Sequence, residues 1–413
     1  MAVLPRYNPE NDVVVMELVQ SGVQLNAWKE YSVTSSYMEP TDSFSFTIAA
    51  EHMTKPQKDA LLPGAEIKLM VNDHLQVSGY IDQIAYSATR SDGAELKISG
   101  RDKMSLIVDS CIDPTTNFKE AMNLEQFLAA ALAPWGYTKD SFTIDDETNL
   151  GIVTGNVRGV KMSHSKKRLG APINSYKLHQ IRPYSGEGAF EFCSRISQRL
   201  GLWMRPQADG KQITVSKPTY DGTAIYTIRR SYDGHNDILD GEVVLNLESQ
   251  PSIIVADAFS TNGVFGAGRC WAYMENPIIE VPMGAHSAIT NKFRSSSSNR
   301  VAFPELATNQ LYTVPQARPL YLHDDEAKDQ TMLNNYVKRE MAHRLKKSLT
   351  FNPTVQGHEA NGSVWSVNTI VSVDCEVSGL KENLWVMART FTKSRSRGTL
   401  TKLELIRQHS FEV

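Results

Sequence analysis

The sequence predicts a β-rich α+β protein, and three observations carry that expectation. Apolar and polar residues alternate with a period of two in stretches near both ends of the chain, the pattern of half-buried strands. Helical spacing is confined to a few separated stretches in between. Corners rich in Gly, Pro, Asn and Asp punctuate the alternating runs. At 413 residues the chain is long enough for two to four domains.

The first strand reads over the apolar run from Val13 to Val19, with Gly22 turning the chain. Tyr31 to Met38 and Ser43 to Ala49 read as a hairpin around Pro40-Thr41-Asp42. In its second arm Phe44, Phe46 and Ile48 alternate with Ser43, Ser45 and Thr47, which is a barrel-strand pattern. Glu66 to Val71 follows Pro63-Gly64, and Leu75 to Tyr86 returns after Asn72-Asp73. Ser91-Asp92-Gly93 is turn chemistry, and Ala94 to Ser99 comes back as a further strand. Gly100, Arg101 and Asp102 form a corner that ends it, and Met104, Leu106, Ile107 and Val108 supply a short apolar helix up to Asp109. About six strands before Pro114 suffice to close a compact barrel. In this corner Gly100 is expected where positive φ or close backbone approach is required. Arg101 is expected to reach a carboxylate such as Asp82 or Asp109.

From Thr115 the texture changes. Leu124, Phe127, Leu128, Ala131 and Leu132 fall at helical spacing, stopped by Pro134 and Gly136. A polar passage then carries Asp140, Asp145, Asp146 and Glu147, followed by basic Arg158, Lys161, Lys166, Lys167 and Arg168. It reads either as a solvated loop or as a contact surface that orders on a partner. Ser185 is placed to cap a helix running to Leu200, with Ala189, Phe192, Cys193 and Ile196 in its buried stripe. Leu202 to Arg205 and Gln212 to Ser216 make a hairpin around Asp209-Gly210.

β texture resumes after Pro218, at Ala224 to Ile228, Val243 to Leu247 and Ile253 to Phe259. A long helix is expected to begin near Asp324, with Leu333, Val337, Met341, Leu345 and Leu349 as its stripe. Acidic residues at its start and Arg344, Lys346 and Lys347 at its end suit the helix dipole. Ser366 to Val373, Leu384 to Thr392 and Thr399 to Arg407 are the closing strands, with corners at Gly379 and Gly398. No literal repeat relates the two ends.

Composition excludes several classes. A net charge of -3 gives no global pull toward nucleic acid or anionic membrane. No run approaches the ~20 apolar residues of a membrane-spanning helix. The N-terminal residues lack the basic start and apolar middle of a signal peptide. Four scattered cysteines, Cys111, Cys193, Cys270 and Cys375, read as reduced thiols rather than as disulfides or zinc ligands. Nucleophile elbows, zinc-protease motifs, P-loops and dinucleotide fingerprints are absent from the sequence. Gly263, Gly266 and Gly268 have the wrong spacing for a phosphate loop. His323, Asp324, Asp325 and Glu326 read as helix capping rather than as a metal cluster. Glu187 and Glu191 lie on one helical face, which a glycosidase pair does not require, and read as a solvated edge. No catalytic residue, cofactor site or metal site is therefore expected. Lys338, Arg339, Lys346 and Lys347 on the long helix, and Lys393, Arg395 and Arg397 in the last hairpin, are basic groups. They read either as solvated faces or as docking contacts to an acidic neighbouring subunit. Nucleic-acid binding ranks lower because aromatics are not interleaved with them.

Gly79, Ile81 and Asp82, followed by Gly100, Arg101, Asp102, Leu106 and Asp109, resemble the first barrel of the central baseplate hub of Mu-like contractile-tailed phages. That family takes in the late control protein D group. The T-even phage hub and the front part of type VI secretion spike proteins are more distant relatives. Trp28, Tyr31, Val33, Asp42, Phe44 and Phe46 resemble its opening strands, Glu187 to Pro218 its middle helix and hairpin, and Gly362 to Phe411 its closing strands. Residues 260–322 resemble it least. The resemblance implies two tube-like β-barrel domains with α/β insertions, which as a homotrimer make a pseudo-six-fold ring. The first barrel is assigned to 1–114, the α/β insertion to 115–218 and the start of the second barrel to 219–260. A loop-rich insertion is assigned to 261–323, and the long helix with the closing strands to 324–413. The implied role is structural: a virion tail hub, assembled in the host cytoplasm, joining the tail tube or a tube initiator to a central spike. Other baseplate proteins are further partners, and DNA only passes through the lumen. The alternatives are a type VI or pyocin-like spike base and a tail-associated peptidoglycan hydrolase.

Overall fold

A computed structural model of the chain describes residues 12–89, 93–116, 118, 124–144, 183–199, 202–220, 222–234, 236–259, 269–291, 298–304, 306, 311–324 and 330–410. The first half holds β1 (Val14–Leu18), β2 (Val23–Leu25), β3 (Glu30–Ser36), β4 (Ser43–Ala49), helix α1 (Lys55–Ala60), β5 (Glu66–Val71), β6 (His74–Thr89), β7 (Gly93–Asp102) and the short helix α2 (Ser105–Val108). The first insertion supplies α3 (Leu124–Leu132), β8 (Phe142–Ile144), α4 (Ala189–Arg199), β9 (Trp203–Pro206) and β10 (Ile213–Ser216). β11 (Tyr226–Arg230) and β12 (Ile238–Leu245) open the second half. A second insertion follows, with β13 (Ile253–Phe259), β14 (Arg269–Glu275), β15 (Ile279–Glu280), α5 (Ala285–Thr290), β16 (Ser298–Arg300), β17 (Tyr312–Thr313), β18 (Pro319–His323) and α6 (Gln330–Lys346). β19 (Leu349–Gln356), β20 (Glu359–Ala360), β21 (Ser363–Val364), β22 (Ile370–Cys375), β23 (Leu380–Ser394) and β24 (Gly398–Arg407) complete the chain.

Alternation decides the strands. In β4 the residues Phe44, Phe46 and Ile48 are buried and the intervening hydroxylated residues are not, so one face of the sheet meets the core and the other meets solvent. Each large apolar side chain buried there, such as Phe46, contributes about 1.5–3 kcal/mol.

The two halves share one hydrogen-bonding plan. In the first half the strand order is β1-β5-β6-β7-β4-β3, and in the second it is β11-β22-β23-β24-β19-β12. The long hairpins β6–β7 and β23–β24 each carry one register slip, at Asp82 and at Met387. In each the return strand begins on a glycine in the left-handed region, Gly93 and Gly398. Ahead of each hairpin a left-handed residue, Gly64 or Asn368, donates its N–H to the carbonyl of Ile81 or Val386. The outermost pairs differ: β1 runs antiparallel to β5, and β11 parallel to β22.

A seam joins the two halves that the resemblance assigns to two tube-like barrels. β3 pairs with β23 from Tyr31↔Lys393 to Ser36↔Ala388, so both halves lie in one thirteen-stranded sheet. One apolar core runs beneath both, from Val14 and Phe46 to Phe391 and Leu405. Among the described residues no hydrogen-bonded pair closes either half into a barrel.

Each half carries its own α/β insertion. α3 and α4 pack on the sheet β8-β10-β9 around Phe127, Phe192 and Met204. In the second, α6 packs on β16-β14-β13-β18 through Leu333, Val337, Met341 and Leu345. Ile253–Phe259, grouped by sequence with the second barrel, pairs in this separate sheet. Leu349, read as the last residue of the helical stripe, instead begins β19, because Lys347 and Ser348 turn the chain. Asp324 donates its backbone N–H to the Asp257 carbonyl just after β18, and the described part of the helix starts at Gln330. Ser185 lies in a turn with Gly186 at φ 83°, and α4 starts four residues later at Ala189. The acidic and basic passage from Asp145 to Arg168, and Gly263, Gly266, Gly268, Asp325 and Glu326, lie outside the described residues.

Candidate functional site at the corner and the seam

The corner is built where β6 and β7 cross the first half of the sheet. Gly79 and Gly100 sit where strands approach closely. A Cβ on Gly79 would lie 2.0 Å from the Arg101 carbonyl oxygen, and one on Gly100 would lie 2.1 Å from that of Tyr80 and 2.5 Å from the Phe44 ring. Gly100 is inside β7 and has no positive φ, so it serves close approach rather than ending the strand. The register slip leaves Asp82 without a partner opposite and aims its side chain outward. Arg101 lies between two carboxylates: its Nε donates to Asp82 Oδ2 at 2.8 Å, and Nη1 and Nη2 donate to Asp109 at 2.9 and 2.6 Å. Those bonds hold the guanidinium charged and the Asp109 carboxyl below its usual range. The fork thereby ties a strand bulge to the end of α2.

Asp102, next in sequence, points the other way and is buried. Its carboxylate accepts the backbone N–H of Asp42 at 2.7 Å and of Met104 at 2.9 Å. Burial, reinforced by the Asp42 carboxylate, pushes it up to about 7. Burial also raises Asp42, against the opposing charges of Arg389 and Arg205. Arg389, fully inside on β23, donates to Gln76 Oε1 at 2.7 Å and stacks 4.0 Å from the Phe391 ring centre. Burial holds Arg389 down to about 10. Arg205 on β9 lies 4.6 Å over Tyr37, whose hydroxyl burial pushes up to about 12. This charged junction thus draws on the first half, the first insertion and the second half together. Sequence reading missed Asp42, Arg205 and Arg389 as a group. The available signal was Arg389 at an inward position of an apolar run, where a charge requires a partner.

A buried histidine crosses the same seam. His358 Nε2 lies 2.7 Å from Tyr31 Oη on β3, and Nδ1 lies 3.2 Å from Thr401 Oγ1 on β24. Thr401 gives its only hydroxyl proton to the Gly357 carbonyl. Nδ1 must therefore carry the imidazole proton, and Tyr31 donates to Nε2. Burial holds this imidazole down to about 4.

The basic residues do not form one patch. On α6 Arg339 is exposed and Lys338 and Lys346 are half-buried, and Lys347 is exposed in the turn that follows. Lys346 is lowered by burial, with Glu404 on β24 opposing that shift. In the last turn Arg395 is exposed, Lys393 is half-buried, and Arg397 reaches Asp240 at 3.5 Å. Glu187 is not the solvated edge expected: it pairs with Arg195 at 2.8 Å and accepts the Tyr184 N–H. His323 bonds Asp257 at 2.9 Å. Among the described residues no cluster of three His, Cys, Asp or Glu could hold a metal, and no helix is long and apolar enough to cross a membrane. The chemistry assembled here is suited to fixing surfaces.

The family described as Mu phage baseplate assembly protein GpP-like, N-terminal, matches residues 15–102, the first half of the sheet. The family described as Tail protein, C-terminal domain, matches residues 343–408, from the end of α6 through β24. Baseplate hub protein gp44 of Escherichia phage Mu is 22% identical over 394 residues, 95% of this chain and 87% of gp44. A tail protein from Neisseria meningitidis MC58 superposes with a TM-score of 0.66 at 18% identity, covering 96% of both chains. The 43 kDa tail protein of prophage MuSo2 from Shewanella oneidensis also gives 0.66, at 16% identity, over 97% of this chain and 99% of its own. Phage tail families thus match a stretch in each half of the sheet, and over nearly its whole length the chain is similar to a Mu baseplate hub protein.

Proposed function

We propose that this chain is a structural baseplate hub of a contractile phage tail, three copies of which close a ring of six similar lobes. The observation that carries this reading is the shared strand order of the two halves, each with its own α/β insertion. A trimer of two-lobed chains offers six near-equivalent contacts on one side and three on the other, which resolves a mismatch between a six-fold tube and a three-fold spike. The partners are then the central spike, the tail tube or its initiator, and other baseplate proteins, with DNA passing through the lumen. The exposed Arg339, Lys347 and Arg395 become subunit contacts, the hub sits in the virion tail baseplate, and assembly takes place in the host cytoplasm. Function here is shape and lumen rather than catalysis, and Glu187, engaged by Arg195, has no facing carboxylate partner in that reading.

Mass measurement of the purified chain at micromolar concentration is expected to show three chains. A monomer that persists with the spike protein present contradicts the hub reading. Release of soluble fragments from peptidoglycan, abolished by Glu187→Gln or Glu191→Gln, would contradict a purely structural role.

A further inference from the structure

Among the strand edges left open in the described residues, two are the counterparts of the two edges that meet at the internal seam. At that seam the outer half of β23, Ala388–Lys393, pairs with the outer edge of β3. The slips at Asp82 and Met387 align the hairpins, so that Gln83 to Ala88 of β6 correspond to Ala388 to Lys393 of β23. Pairing of β3 with β4 and of β12 with β19 likewise matches Tyr31 to Ser35 with Gly241 to Leu245. Among the described residues Gln83 to Ala88 pair as a strand only with β7, and Asp240 to Leu245 only with β19.

We propose that these open edges pair with each other between copies, β6 of one chain adding antiparallel to β12 of the next. This rests on the ring reading above and assigns its subunit contact. Transferring the internal register places Ile84 opposite Leu245, Ala85 opposite Val244, Tyr86 opposite Val243 and Ser87 opposite Glu242 of the neighbouring copy. The occupant is a second copy because the internal seam already shows this union made, and the side chains fit it. Phe391 and Val33, facing each other across the internal seam, are both buried, whereas Tyr86, the counterpart of Phe391, is 71% exposed in the single chain. Val244 and Leu245 are 41% and 40% exposed on an edge strand, a surface that an isolated protein normally protects with charge. The contact is head-to-tail, because the two edges are different surfaces, so it propagates until a ring closes.

Cysteine pairs in the full chain, on a Cys111→Ser background, test the register. Ala85→Cys with Val244→Cys, oxidised and run without reductant, is expected to give covalent dimers and closed trimers that reduction returns to single chains. Thr34→Cys with Thr390→Cys occupies the same ladder position at the internal seam, where the native hydroxyls lie 3.2 Å apart, and should cross-link within one chain without changing its mass. Ala85→Cys with Val243→Cys places the thiols on opposite faces and should give no ladder. If mass measurement shows an intact trimer while the internal pair cross-links and Ala85–Val244 does not, this seam is wrong and the ring reading stands. A covalent dimer from Ala85→Cys alone would also overturn it, since that contact is symmetric. A monomer at every concentration overturns both.

Discussion

The same three ladder positions are filled with opposite chemistry in the two halves. Counted from the register slips, Gly100, Arg101 and Asp102 of β7 correspond to Leu405, Ile406 and Arg407 of β24. In the first half the middle residue is the charged, outward one, clamped between Asp82 and Asp109, and a glycine lies under Phe44. In the second half a buried leucine takes the glycine's place and Ile406 is buried. At the position of the buried Asp102 stands Arg407, which donates to Ser348 at 2.7 Å and faces the Glu382 carboxylate at 3.4 Å, with both side chains 2% exposed. Backbone pairing alone therefore sets the lobe, and side chains distribute strength within it differently. The first lobe holds its corner by an accessible ionic clamp, the second by apolar packing and one enclosed charge pair.

The sharpest way to break that contrast is to remove the enclosed charge. Arg407→Leu leaves Glu382 buried without its counter-charge and is expected to cost about 3–5 kcal/mol of unfolding stability in urea titration. Arg407→Leu with Glu382→Leu together should recover most of it, because replacing both charges removes the desolvation cost. Next comes the seam histidine. Its ordinary value of 6.5 is lowered to about 4 in the folded chain, so as pH falls below 6.5 the unfolded chain takes up the proton first. Its contribution is full above 6.5 and is lost as pH falls through 4. Asp102, raised to about 7, acts in the opposite sense: its contribution is full at acid pH and lost as pH rises toward 7. Comparison of wild type with His358→Gln isolates the histidine, and the wild type should lose about 3 kcal/mol more between pH 7 and pH 4.

The corner itself gives smaller effects. Gly100→Ala forces a methyl against the Tyr80 carbonyl and is expected to cost about 2 kcal/mol in thermal unfolding, although its counterpart in the other lobe is a leucine. Arg101→Ala should cost about 1 kcal/mol, because the clamp is partly solvated, and should lower trimer yield in parallel. Lys338→Ala and Lys393→Ala, outside any enclosed contact, should stay within about 0.5 kcal/mol of wild type. An Arg101→Ala protein that melts like wild type yet fails to assemble would move Arg101 from the corner to an interface.

Local elements were legible in the sequence wherever one face is buried and the other wet. Ser43–Ala49 and Glu66–Val71 have the boundaries that alternation and turn residues predict. Partners across the sheet were not legible, because alternation says which face is buried and nothing about which strand lies alongside. Alternation therefore places Ile253–Phe259 with the second half although it pairs in the insertion's sheet, and it gives no sign of the β3–β23 seam, which joins residues more than 350 positions apart. The duplication escaped residue matching for the same reason. Gly64 and Asn368 share a left-handed conformation and Gly100 and Leu405 share a ladder position, but neither pair shares a side chain. At the corner, Arg101 between Asp82 and Asp109 follows from short-range charge spacing. The half-buried Asp42 and Arg205 and the buried Arg389 meet only once three distant segments fold together.

Electron microscopy of the assembled protein is the most direct measurement of the two-lobe account. Rotational analysis of end-on images should show three chains forming a ring whose lobes repeat six times at one radius, with three-fold modulation from the unequal insertions. A closed ring with only three lobes, or particles of a single chain, would contradict it.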